Sequence, residues 1–175
     1  MKTTTENKTM KVFVIASTEY RGNCPDMFLM DEQGNYYGAE RSVYAQRANY
    51  PKNIDYWRNA ECSDSDRWFN IDEVEVTKEQ VEQYCAAVKA YHDMYDSCPS
   101  FGESYPEQKN YKTKKAYREA VDSYIARQEA WCKEKNIAQH IRDTRELWFA
   151  SIRLFCSFSE KVYEAIKDND PIKYC

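Results

Sequence analysis

The sequence predicts an α+β fold, a small and mostly antiparallel sheet over residues 10–76 followed by about three helices over residues 78–96, 105–135 and 137–168. Three features lead there. Met10-Lys11-Val12-Phe13-Val14-Ile15-Ala16 is β-branched and aromatic, the composition of a strand covered on both faces or nearly so. Thr77-Lys78-Glu79-Gln80 has capping-box spacing, in which the Thr hydroxyl takes one orphan amide of a helix start and the Gln side chain takes another. Beyond it, apolar residues recur every three or four positions as far as Ile166, the period of helices.

Along the chain, residues 1–9 read as a polar, disordered lead to a single domain over 10–175, β-rich to residue 76 and helical from 77. After a turn-rich stretch around Pro25 and Asp26, Met27-Phe28-Leu29-Met30 is followed by Gly34-Asn35 and Tyr36-Tyr37, the pattern of a hairpin. Residues 39–48 have the makings of a short helix stopped by Pro51, and Ser63-Asp64-Ser65-Asp66 of a polar loop. Trp68-Phe69-Asn70-Ile71 with Val74-Glu75-Val76 reads as the last strand. The first helix then carries a seam of Val81, Tyr84, Val88, Tyr91 and Tyr95. Ser104-Tyr105-Pro106-Glu107 resembles a second capping box, and Lys135-Asn136 a break before the last helix. Between residues 147 and 158 the apolar side chains surround that helix instead of forming one stripe. This predicts either a path through the core or a homodimer interface.

Composition limits the chemistry. Leu, Ile, Val and Phe number only 28 of 175 residues, a level at which disorder is suspected, but 26 aromatics restore enough buriable area for a core. Seven cysteines, an odd number with no Cys-x-x-Cys, predict reduced, structural thiols in a cytoplasmic, reducing compartment. The amino terminus has no apolar stretch of the signal-peptide kind, and Arg153 interrupts the longest apolar neighbourhood, so no membrane span is expected. Four glycines are too few and too dispersed for a phosphate-cradling loop. His92 and His140 lack zinc-site spacing, and no Gly-x-Ser-x-Gly elbow is present. The expectation is a protein with no catalytic residues, no metal and no cofactor.

Charge is distributed unevenly. Between Glu61 and Glu107 there are twelve acidic and three basic side chains, and between Gln108 and Arg153 eleven basic and six acidic. The first helix is thus acidic and the second begins basic, which suits mutual attraction of solvated faces and favours Glu79 and Glu82 in a first helical turn.

The sharper expectation is an acidic inhibitor or adaptor that docks on the basic groove of a nucleic-acid-processing protein. Closely spaced carboxylates imitate the phosphates such grooves attract. Its partner-binding residues are then Glu75, Glu79, Glu82, Asp93 and Asp96, with Tyr84, Tyr91 and Tyr95, and also Trp57 and Trp68, as aromatic anchors. Small inhibitors carried by phages and mobile elements, anti-CRISPR proteins among them, work by this logic, although no motif here matches a particular family. An alternative is direct binding of single-stranded nucleic acid through Lys109, Lys112, Lys114, Lys115 and Arg118, interleaved with Tyr105, Tyr111 and Tyr117. A third is an Mg²⁺-dependent enzyme using Asp64, Asp66, Asp72, Glu73 and Glu75 as oxygen ligands.

Overall fold

The β-branched run does form the central strand. In the computed structural model, which describes residues 9–17, 27–62 and 67–167, β1 (Thr9–Ala16) lies between β2 (Met27–Asp31) and β6 (Asn70–Thr77). β3 (Tyr36–Tyr37) completes an antiparallel sheet of order β3-β2-β1-β6. The register sets Val12 opposite Asp31 and Val74, and Ile15 opposite Phe28 and Ile71. Of the lead expected over residues 1–9, Thr9 already belongs to β1; residues 1–8, the turn around Pro25-Asp26 and the 63–66 loop lie outside the described residues. The fold class is α+β, as predicted.

Strand alternation gives the sheet two apolar faces. Val12, Val14, Ala16, Leu29 and Val76 form one. They pack with Val81, Tyr84, Val88 and Tyr91 of α3 (Lys78–Asp96), with Trp148, Ile152, Phe155 and Phe158 of α5 (Ile137–Phe158), and with Val162 and Ile166 of α6 (Glu160–Ile166). Phe13, Ile15, Phe28 and Met30 form the other, under α1 (Val43–Arg47) and α2 (Ile54–Asn59) with Trp57 at its centre. Burying each side chain of this size contributes about 1.5–3 kcal/mol. Covering both faces with aromatics compensates for the scarcity of leucine.

The chain divides into two compact units, one of residues 1–92 with 145–175 and the other of residues 93–144. The sheet and both apolar faces belong to the first. In the second, α4 (Lys114–Glu134) packs its Tyr124 and Trp131 against Phe101, with Tyr105 also against Tyr124. Arg127 clasps Glu103 there through Nε and Nη2, at 3.0 and 2.8 Å from Oε2.

Four expectations are corrected. The first helix within 39–48 is only Val43–Arg47, and it ends before Pro51 because Asn49 and Tyr50 adopt positive φ. The expected last strand is two elements, since β5 (Arg67–Trp68) pairs with β4 (Glu61–Cys62) before β6 begins. The second long helix starts at Lys114. Thr113 caps it by accepting the Ala116 amide at 3.1 Å, while Gln108–Asn110 near the Ser104 box forms one 3₁₀ turn. The last helix is interrupted at Ser159, whose hydroxyl accepts the Val162 amide at 3.1 Å and opens α6.

The capping box at Thr77 is realised in both directions. The Thr77 amide donates to Gln80 Oε1 at 2.8 Å, and the Gln80 amide to Thr77 Oγ1 at 3.2 Å. Residues 147–158 resolve into a stripe rather than a fully surrounded helix: Trp148, Ile152, Phe155 and Phe158 are buried and Arg153, Cys156 and Ser157 exposed. Among the described residues, no helix is long and apolar enough to cross a membrane.

Candidate functional site

The acidic residues expected to meet a partner fall on β6 and α3. The alternation of β6 turns Val76 into the core and leaves Glu75 exposed. On α3 the helical period buries Val81, Tyr84, Val88 and Tyr91 and leaves Glu79 and Glu82 on the solvent side, all within the first unit. The Glu79 carboxyl is held below its ordinary range chiefly by its own backbone N–H at the helix start, and further by the Thr77 hydroxyl. Asp93 and Asp96 are exposed on the last turns of α3, in the second unit.

Two observations narrow this surface. Lys78 and Lys89 fall on the same side of α3 as Glu82, and Lys78 Nζ stands 3.5 Å from Glu82 Oε1, so the acidic face is interrupted by cations. The expected aromatic anchors are also mostly unavailable. Tyr84 is fully buried, donates its hydroxyl to the Met27 carbonyl at 3.0 Å and meets the Phe155 ring edge-on. Tyr91 and Trp57 are core residues too. Tyr95 is exposed, and the Trp68 side chain lies outside the described residues. A tyrosine at seam spacing reads alike as core and as anchor; only the packed sheet behind it decides.

The basic segment is exposed at Lys109, Lys112, Lys114, Lys115 and Arg118. Lys109 pairs with Glu107 at 2.5 Å and Lys115 approaches Glu119 at 3.9 Å. Tyr111 and Tyr117 occupy one another, with ring centroids 5.8 Å apart. The second unit as a whole carries nine acidic and nine basic side chains.

Two carboxylates of the enzyme alternative are engaged separately. Asp72 Oδ2 accepts from Ser159 Oγ at 2.7 Å, whereas Glu73, on the opposite face of β6, pairs with Lys11 at 2.5 Å. Asp64 and Asp66 lie outside the described residues. Among the described residues, no group of three or more His, Cys, Asp or Glu side chains is arranged to hold a metal ion.

Cys85, Cys98, Cys132 and Cys156 are free thiols. Burial pushes the Cys85 thiol up, away from the reactive thiolate. Cys98 and Cys156 are exposed, against the expectation that such residues serve as small hydrophobes. The segment over 147–158, expected either to run through the core or to form a homodimer interface, places Trp148, Phe155 and Phe158 in the core, with Leu147, Phe149 and Leu154 packed beside them.

Comparisons of the chain with models of known protein families, with curated proteins and with solved structures find no match.

Proposed function

We propose that the chain is a non-enzymatic binding protein whose acidic surface, Glu75 of β6 with Glu79 and Glu82 of α3, docks on a basic surface of a protein that handles nucleic acid. One observation carries this reading: Glu79 and Glu82 stand exposed on a helix whose opposite side is locked into the core, and Glu75 is exposed on the strand that leads into that helix. Charges held by a packed scaffold keep their spacing, so little ordering entropy opposes docking. With Tyr84 and Tyr91 buried, the association rests on charge more than on aromatic anchors. It should be fast, and weakened by salt. An inhibitor of the kind carried by phages and mobile elements is one form such a protein takes.

The test is capture of partners by the tagged full chain from a bacterial lysate, with and without nuclease treatment. A basic protein retained after nuclease supports the proposal. Retention that vanishes with nuclease favours the second reading, single-strand binding at the start of α4. The exposure of Lys112, Lys114, Lys115 and Arg118 around the amide-rich helix start supports that reading, and it demands an affinity that falls steeply with salt.

A further inference from the structure

Strand β6 is an edge of its sheet, and among the described residues no strand pairs with its outer side. Three hydrogen bonds show which residues turn their backbone outward. Lys161 Nζ donates to the Ile71 carbonyl at 3.3 Å, the Glu73 amide to Asp72 Oδ1 at 3.0 Å, and the Thr77 amide to Gln80 Oε1 at 2.8 Å. Side chains, not a strand, satisfy these groups. Residues 71, 73 and 77 therefore face away from β1, and the two-residue period adds Glu75 to them.

The two ends of this edge are occupied in the manner of edge strands guarded against pairing. Its middle is different. The Glu73 carbonyl and both backbone groups of Glu75 have no hydrogen-bond partner among the described residues, and both side chains are exposed. Lys11 and Arg58 share the Glu73 carboxylate at 2.5 and 3.9 Å, whereas no ion pair reaches Glu75 among the described residues.

We infer that this open window of β6 takes an extended basic segment of a partner protein as an added antiparallel strand, with a Lys or Arg opposite Glu75. The inference rests on the proposed reading of the chain as an acidic binding protein and names how its partner is held. Main-chain bonds to Glu73 and Glu75 supply the pairing, and alternate side chains supply the selectivity. The charge excludes a second copy of this chain, because two-fold pairing about Glu75 sets that carboxylate against its own copy. On the other face of β6, Val74 is half-buried beside the core, so the residues alternating with the Lys or Arg positions should be apolar.

Geometry dictates a sharp test. A residue directly opposite Glu75 in a hydrogen-bonded pair shares its face and points its own N–H at β6. The probe is the fluorescent peptide Lys-Val-Lys-Val-Lys-Val-Lys, titrated with the full chain in three forms: unmodified, N-methylated at its lysines, and N-methylated at its valines. All three carry the same charge. Methylation of the lysines should weaken binding at least tenfold, and methylation of the valines less than threefold. Glu75→Lys, at an exposed position, should weaken the unmodified peptide at least tenfold with an unchanged circular dichroism spectrum.

Equal binding of the three peptides would overturn strand addition while leaving charge-driven docking intact. No binding of the unmodified peptide would overturn it as well. Failure of the underlying reading shows separately, as partner capture that is indifferent to reversal of Glu79 and Glu82.

Discussion

The Tyr37 hydroxyl donates to the Asp31 carboxylate at 2.9 Å, closing the β2–β3 hairpin from its far strand. Asp31 also accepts the Gln33 and Asn35 amides at 2.9 and 2.8 Å and the Asn35 side-chain amide at 2.8 Å. Burial by itself raises this carboxyl, but the hydrogen bonds from Asn35, Tyr37 and Gln33 together outweigh it and hold the group below its ordinary range.

Because the folded form holds the proton more weakly than the unfolded chain, the contribution of Asp31 is complete above the ordinary carboxylate range. It is lost as pH falls through the depressed folded value. Asp31→Ala should cost about 2–3 kcal/mol in urea denaturation at pH 7. Asp31→Asn should in addition flatten the acid limb of the stability profile; an unchanged limb would assign acid sensitivity to other groups.

Gly38 holds φ at +70°, and a Cβ placed there would lie 2.6 Å from Tyr84 Cε1. Both the left-handed backbone and the buried ring resist a side chain. Gly38→Ala should therefore destabilise by about 2–4 kcal/mol, whereas Gly102→Ala, with nothing within 4 Å of its new Cβ, should stay within about 0.5 kcal/mol. Denaturation midpoints of the two variants compare them directly.

Ser159 serves two elements, capping α6 and donating to Asp72 Oδ2 of β6 at 2.7 Å. Ser159→Ala should cost about 1–3 kcal/mol. In a double-mutant cycle with Asp72→Ala, the two substitutions should couple by about 0.5 kcal/mol or more. Strict additivity would show that the cap alone matters.

In the second unit, apolar contacts should outweigh the visible ion pair. Arg127 and Glu103 are about half exposed on each side, so Glu103→Gln should cost no more than about 1 kcal/mol. Phe101, between Tyr124 and Trp131, is half-buried, and Phe101→Ala should cost about 2–3 kcal/mol and speed limited proteolysis within residues 97–113.

What the sequence discloses follows from how local each cause is. The strand at 10–16, the hairpin and the Thr77 capping box are signalled by residues within about eight positions, and all three are present as expected. Thr113 was hidden because its cap lacks the reciprocal Glu or Gln three residues on; Ala116 stands there. The break at Ser159 was masked because Phe155, Val162 and Ile166 keep near-helical spacing across it.

The site is harder to read than the fold. Exposure of Glu75, Glu79 and Glu82 follows from periodicity, but burial of Tyr84 and Tyr91 depends on Trp148, Phe155 and Val162 of α5 and α6, distant in the sequence. The α2 helix was missed for the same reason. Trp57 is held by Phe28 and by its Nε1 donating to the Tyr36 hydroxyl at 2.8 Å, contacts no local pattern announces.

Partner capture by the Glu79→Lys/Glu82→Lys double variant, beside the unaltered chain in the same nuclease-treated lysate, tests the central claim most directly. Both positions are exposed, so the variant should fold, and the account predicts that the basic partner is lost. Retention of that partner at undiminished yield would contradict docking through the acidic face.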